Sequence, residues 1–221
     1  MIIAEIFDKG GIVVWVLSGY SLLALSIIFE RLLRFAMMGK LPQAFEKNLV
    51  ITLKQGKLDD WLGAYRGPEV AVLTGISQAA AAGVKDLTRV AVRIGSSELQ
   101  RMECGFRSIE ILGNTAPLLG LLGTIFGMIK AFMVIETAGG KVDAQALAGG
   151  IWEAMITTGV GLSVAIPILL MLHLLEGMAD RRAHSMRSLA SVLLEQLPHN
   201  EIQGEGESEA IHHREVGIHA V

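Results

Sequence analysis

The sequence predicts an all-α integral membrane protein with three transmembrane helices, and three observations predict it. Hydrophobic residues make up 52% of the 221 and charged residues only 19%, with a mean hydropathy of +0.50. Three stretches stay uncharged or nearly so over the length a bilayer demands, about 20 residues for a hydrocarbon core roughly 30 Å thick. Lys and Arg gather at one side of these stretches, the side that stays in the cytoplasm.

The first span covers 10–29, GGIVVWVLSGYSLLALSIIF, between Asp8-Lys9 and Glu30-Arg31. Its basic residues follow the apolar run rather than precede it, which predicts a retained anchor and not a cleaved leader. The second covers 111–135 and carries one charge, Lys130; the third covers 149–175 and carries one acid, Glu153. Arg31, Arg34, Lys40 and Lys47 follow span one; Arg89, Arg93, Arg101 and Arg107 precede span two; Arg181, Arg182 and Arg187 follow span three. The expected topology is therefore N-out and C-in. It comprises a periplasmic N-terminus at 1–9, a cytoplasmic helical region at 30–110, a periplasmic loop at 136–148, a cytoplasmic helix at 176–197 and a disordered tail at 198–221.

Within 30–110 apolar residues recur near the helical period. Short amphipathic helices are expected at 42–55, 58–65 and 68–82. From Lys85 no proline interrupts the chain until Pro117, so one helix is expected to run on into span two. Span three is expected to continue similarly to about Leu197. The tail is polar and acidic, lacks a period, and holds four of the six histidines; a solvated tail is the preferred reading, with metal binding the alternative.

The lone Cys104 excludes an internal disulfide, and a net charge of −3 gives no argument for nucleic acid. The spans contain no nucleophile–base pair, no phosphate-cradling loop and no paired metal ligands, so neither an enzyme nor a cofactor or metal is expected. Glu153 and His173 are twenty residues apart, about 30 Å along a helix, too far to act together in one subunit. Three spans are also too few to enclose a conduction path, which points to an oligomer.

Span two reads NTAPLLGLLGTIFG over 114–127, an unusual mixture for a lipid-facing helix. Membrane helices associate through small residues. Gly120, Gly123 and Gly127 in span two, with Gly113 and Ala116, and Thr157, Gly161 and Ala165 in span three have that character at helical spacing. Pro117 and Pro167 each remove a backbone hydrogen bond and can kink their spans. Thr124 and Thr158 either bond their own helix carbonyls or present hydroxyls to a shared polar path. Glu153 is costly in a span, by about 2.5–3.5 kcal/mol at the centre on insertion scales, and calls for a cavity, a partner or the interface. Lys130 is expected to reach the outer interface along its own stem.

The runs APLLGLLGTIFGMIKAF and, after a short loop, GGIWEAMITTGVGLSVAIP strongly resemble the MotA/TolQ/ExbB proton-channel family, over 112–170, and the topology resembles its ExbB/TolQ branch. The resemblance implies a pentameric ring in the bacterial inner membrane around a dimer of single-span ExbD- or TolR-like partners. It implies Thr124 and Thr158 as pore threonines, Glu153 as the family's glutamate near the outer end of span three, and small-residue faces lining the pore. Proton flow would turn the partner and deliver work to a TonB- or TolA-like protein. The sequence departs in having Thr157 where proton-driven members commonly have alanine, which raises sodium as the minority alternative. TolQ-like envelope maintenance or another stator duty is the alternative within the class, and a passive membrane scaffold the alternative outside it.

Overall fold

A computed structural model describes residues 11–39, 41–42, 44–55, 57–137 and 144–197. The expectations for 1–9, for most of the loop after span two and for the histidine-containing tail lie outside the described residues. The described chain is helical: α1 (Gly11–Met37), α2 (Phe45–Lys54), α3 (Leu58–Leu62), α4 (Pro68–Ala81), α5 (Leu87–Glu103), α6 (Phe106–Thr137) and α7 (Ala144–Gln196). Three of these helices, α1, α6 and α7, are long and apolar enough to cross a membrane. The protein is an all-helical membrane protein, and it divides into two units, one holding 1–39 with 97–183 and the other 40–96 with 184–221.

The second unit is built from short, locally punctuated helices. Pro68 opens α4 at its first turn, where its missing N–H costs nothing and its fixed φ suits the helix. At the other end Gly83 takes φ +73°, and the amides of Gly83 and Val84 donate to the carbonyls of Ala80 and Ala79 at 3.0 Å each. This is the Schellman ending that a left-handed glycine permits. Asp86 then starts α5 by accepting the Arg89 amide at 2.8 Å, a side-chain cap. Phe45, Trp61 and Tyr65 cluster with ring centroids 4.6–5.2 Å apart, and Leu49, Leu58, Leu62, Leu73 and Ile76 are buried. In water each such apolar side chain contributes about 1.5–3 kcal/mol. The helices expected at 42–55, 58–65 and 68–82 are all present, shortened by one to three residues at some ends.

The first unit holds the spans. Val13, Leu17, Ala116 and Ala165 form its buried centre, with Leu119, Val160 and Val164 packed around them. Only 22–28% of each span's most apolar window is covered, so the outward faces of one subunit are left for lipid or for other protein.

The expected unbroken helix from Lys85 into span two is instead divided at Cys104–Gly105. Gly105 adopts φ +90°, and its carbonyl accepts the amides of Ser108 and Ile109 at 3.1 Å to restart the helix as α6. The guanidinium of Arg31 lies over this turn, so that a Cβ on Gly105 would stand 3.3 Å from Nε. A glycine with positive φ, not a proline, makes the break. Gly105→Ala is expected to destabilise the chain by about 1–2 kcal/mol, the cost of a left-handed non-glycine residue. Gly95→Ala, in open space within α5, should not lower the detergent-solubilised melting temperature.

Candidate ion pathway

Spans α6 and α7 run antiparallel, and small residues set their separation. Going forward along α6 and back along α7, Gly113 faces Ile168 and Leu169; Ala116 and Gly120 face Gly161; Gly123 faces Thr157; Gly127 faces Ala154 and Gly150; and Ala131 faces Gly150. The approach is at backbone level: a Cβ on Gly120 would lie 2.9 Å from the Thr157 carbonyl oxygen, and one on Gly161 would lie 2.8 Å from that of Ala116. Gly113, Gly120, Gly123, Gly127 and Gly161 are all buried, as is Ala165. Such contact supplies the dispersion attraction on which helix association in lipid depends. Pro117 lies half-buried inside α6. Pro167 lines an apolar groove of about 680 Å³ between α1 and α7, together with Ser21 and Ser163.

The three threonines sit in different surroundings. Thr124 is half-buried and its hydroxyl donates to the Leu121 carbonyl of its own helix at 2.6 Å. Thr158, also half-buried, reaches across to the Gly120 carbonyl at 3.4 Å, one turn from Thr124. Thr157, the residue that stands where alanine is common, lies inside the seam. It is 1% exposed, lies against Gly123, where an added Cβ would be 2.6 Å from its Oγ1, and donates to the Ala154 carbonyl at 2.9 Å. Adjacent residues on a helix point about 100° apart, so the seam that takes Thr157 leaves Thr158 at its edge.

Glu153 has a partner that sequence reasoning did not give it. The Lys130 ammonium donates to Oε1 at 2.6 Å, joining α6 to α7, with the glutamate side chain 21% exposed and the lysine side chain 62%. Lys130 was expected only to extend to the interface, whereas the charge-assisted bond, a strong type, ties it to Glu153. The first residue of α1 closes on the same place, since a Cβ on Gly11 would stand 3.1 Å from Oε1. The missed signal was depth: the glycine seam sets an antiparallel register in which Lys130 and Glu153 fall level. His173 lies far along α7, exposed, with Nδ1 3.1 Å from Glu176, and does not join this site.

The described site is thus a pair of antiparallel spans with a glycine seam, half-buried hydroxyls at Thr124 and Thr158, and a carboxylate held by one lysine. The description of the MotA/TolQ/ExbB proton channel family matches residues 69–188, more than half of the chain. The chain belongs to the MotA/TolQ/ExbB proton channel family. The match takes in α4 to α6 and most of α7, including every residue of the seam. On the ExbB side of this family, the chain is 33% identical over 196 residues to the ExbB-like 1 biopolymer transport protein of Synechocystis sp., covering 85% of this chain and 76% of that one. It is 40% identical over 77 residues to biopolymer transport protein exbB1 of Vibrio cholerae and 39% over 72 residues to biopolymer transport protein ExbB of Neisseria gonorrhoeae. These two matches span about a third of each chain.

Proposed function

We propose that this chain is the proton-channel subunit of an ExbB-type motor in the bacterial inner membrane. In this reading five copies form a ring around a dimer of single-span ExbD- or TolR-like partners. The N-terminus is outside, the C-terminus inside, and the second unit in the cytoplasm. Proton passage along the partner's membrane aspartate turns the partner and sends work to a TonB- or TolA-like protein. The observation that carries the reading is the α6–α7 seam, because it brings Thr158 to the Gly120 carbonyl one turn from Thr124, within the segment that the family match covers. Thr124 and Thr158 serve as pathway hydroxyls, Glu153 as the carboxylate near the outer end, and Thr157 with the seam glycines as packing. The uncovered outward faces of the three spans supply the surfaces for neighbouring subunits and lipid.

Vesicles containing the full chain with an ExbD-like partner test it. A proton gradient should drive uptake that Thr158→Val abolishes, while the ring still purifies, since valine keeps the shape of threonine without the hydroxyl. Thr157→Val should keep most of the uptake, because its hydroxyl serves only its own helix. Undiminished uptake in Thr158→Val would sink the reading, and a function indifferent to collapse of the gradient would mark a passive scaffold instead.

A further inference from the structure

The ion pair at the ends of α6 and α7 bears on which cation can use Glu153. One carboxylate oxygen takes the Lys130 ammonium at 2.6 Å, and Gly11 at the start of α1 lies close enough that a side chain there would meet both the oxygen and the ammonium. The hydroxyl one turn along α7, that of Thr157, donates to the Ala154 carbonyl and is buried inside the seam. A hard cation is drawn to carboxylate oxygen, and among the described residues the Glu153 carboxylate is engaged by the Lys130 ammonium. A proton needs a single oxygen. The lysine stem is well exposed, so its ammonium is free to turn to water when the carboxylate charge disappears.

We propose that Lys130 is a specificity-determining residue: its ammonium is the resident counter-cation of Glu153, reserving that carboxylate for protons and excluding sodium. This rests on the motor reading for Glu153. In the step itself a hydronium gives its proton to a Glu153 carboxylate oxygen, an O–H bond forms, a water molecule leaves, and the ammonium is released from its ion pair. Sodium forms no such bond and has to displace the tethered ammonium. Without Lys130, a carboxylate in a span lacks its compensating charge, which is costly, and it recruits a cation from solution.

The test compares the full chain and its Lys130→Met variant in vesicles bathed in NaCl or in KCl. The infrared carboxylate band of Glu153, identified by its loss in Glu153→Gln, is read on the chain alone; proton uptake is read with the ExbD-like partner. In the natural chain neither should change with the salt. In Lys130→Met, sodium should shift the band and lower uptake about fivefold, the scale of one surface ion pair, and Lys130→Arg should behave as the natural chain does. Lys130→Gln replaces Lys130→Met if the latter does not assemble. A band and an uptake as indifferent to sodium in the variant as in the natural chain would overturn the proposal. Absent uptake in every chain, with a sodium-shifted band in Lys130→Met only, would instead overturn the motor reading and leave Lys130's role standing.

Discussion

Replacing Gly120 with alanine should part α6 from α7 and cost the subunit about 1–3 kcal/mol, the range for overpacking a close-packed interior. The added Cβ would meet the Thr157 carbonyl oxygen at 2.9 Å, the Thr158 Cα at 3.2 Å and the Gly161 Cα at 3.3 Å. All three are backbone atoms, so no rotamer change relieves the clash and one helix must move. Movement there loosens the seam on both sides, because Gly123 meets Thr157 and Gly161 meets Ala116 within the same two turns. Gly120→Leu should go further and prevent stable assembly. Gly177→Ala is the control: nothing lies within 4 Å of a Cβ there, and removing glycine from a helix should be neutral or gain about 0.4–1 kcal/mol. Melting in detergent, with size-exclusion of the purified protein, reads both. Equal losses at Gly120 and Gly177 would show that the seam does not hold the spans.

Glu153→Gln should leave the subunit folded while proton uptake with the partner falls to background, a drop of about a hundredfold or more, the scale of losing a proton-carrying side chain. Glutamine keeps the length and shape of the side chain without its charge, so the ion pair with Lys130 is released while the backbone contacts of the glycine seam still hold α6 to α7; it cannot take a proton. Glu153→Ala removes both properties and leaves the Lys130 ammonium without its 2.6 Å partner, so it should lose uptake and some stability together. The comparison separates a proton carrier from a strut. Uptake retained in Glu153→Gln and lost in Glu153→Ala would make Glu153 the strut.

How far the site was legible depended on whether a feature was local. Gly120, Gly123, Gly127 and Gly161 are recognisable as packing residues because only close approach gives a membrane helix a use for them. The run of motifs from Ala116 to Pro167 carries the family. Glu153 announces itself by the cost of its charge. Its partner does not, because Lys130 lies 23 residues away and no helical spacing links the two. Likewise Thr157 and Thr158 are indistinguishable as letters; which of them enters the seam follows from the rotation of α7 against α6. The break at Gly105 is a local feature as well, since a glycine ends a helix as surely as a proline when its φ turns positive.

The sequence by itself determined the number of long apolar helices, the helical class and the identity of the small-residue faces, because these follow from hydropathy and period along one chain. Only the tertiary structure decided that Lys130 neutralises Glu153, that Thr157 packs while Thr158 reaches Gly120, and that Arg31 lies over the Gly105 turn. Those are matters of register and rotation between helices, and they are set by the backbone contact that the glycines permit.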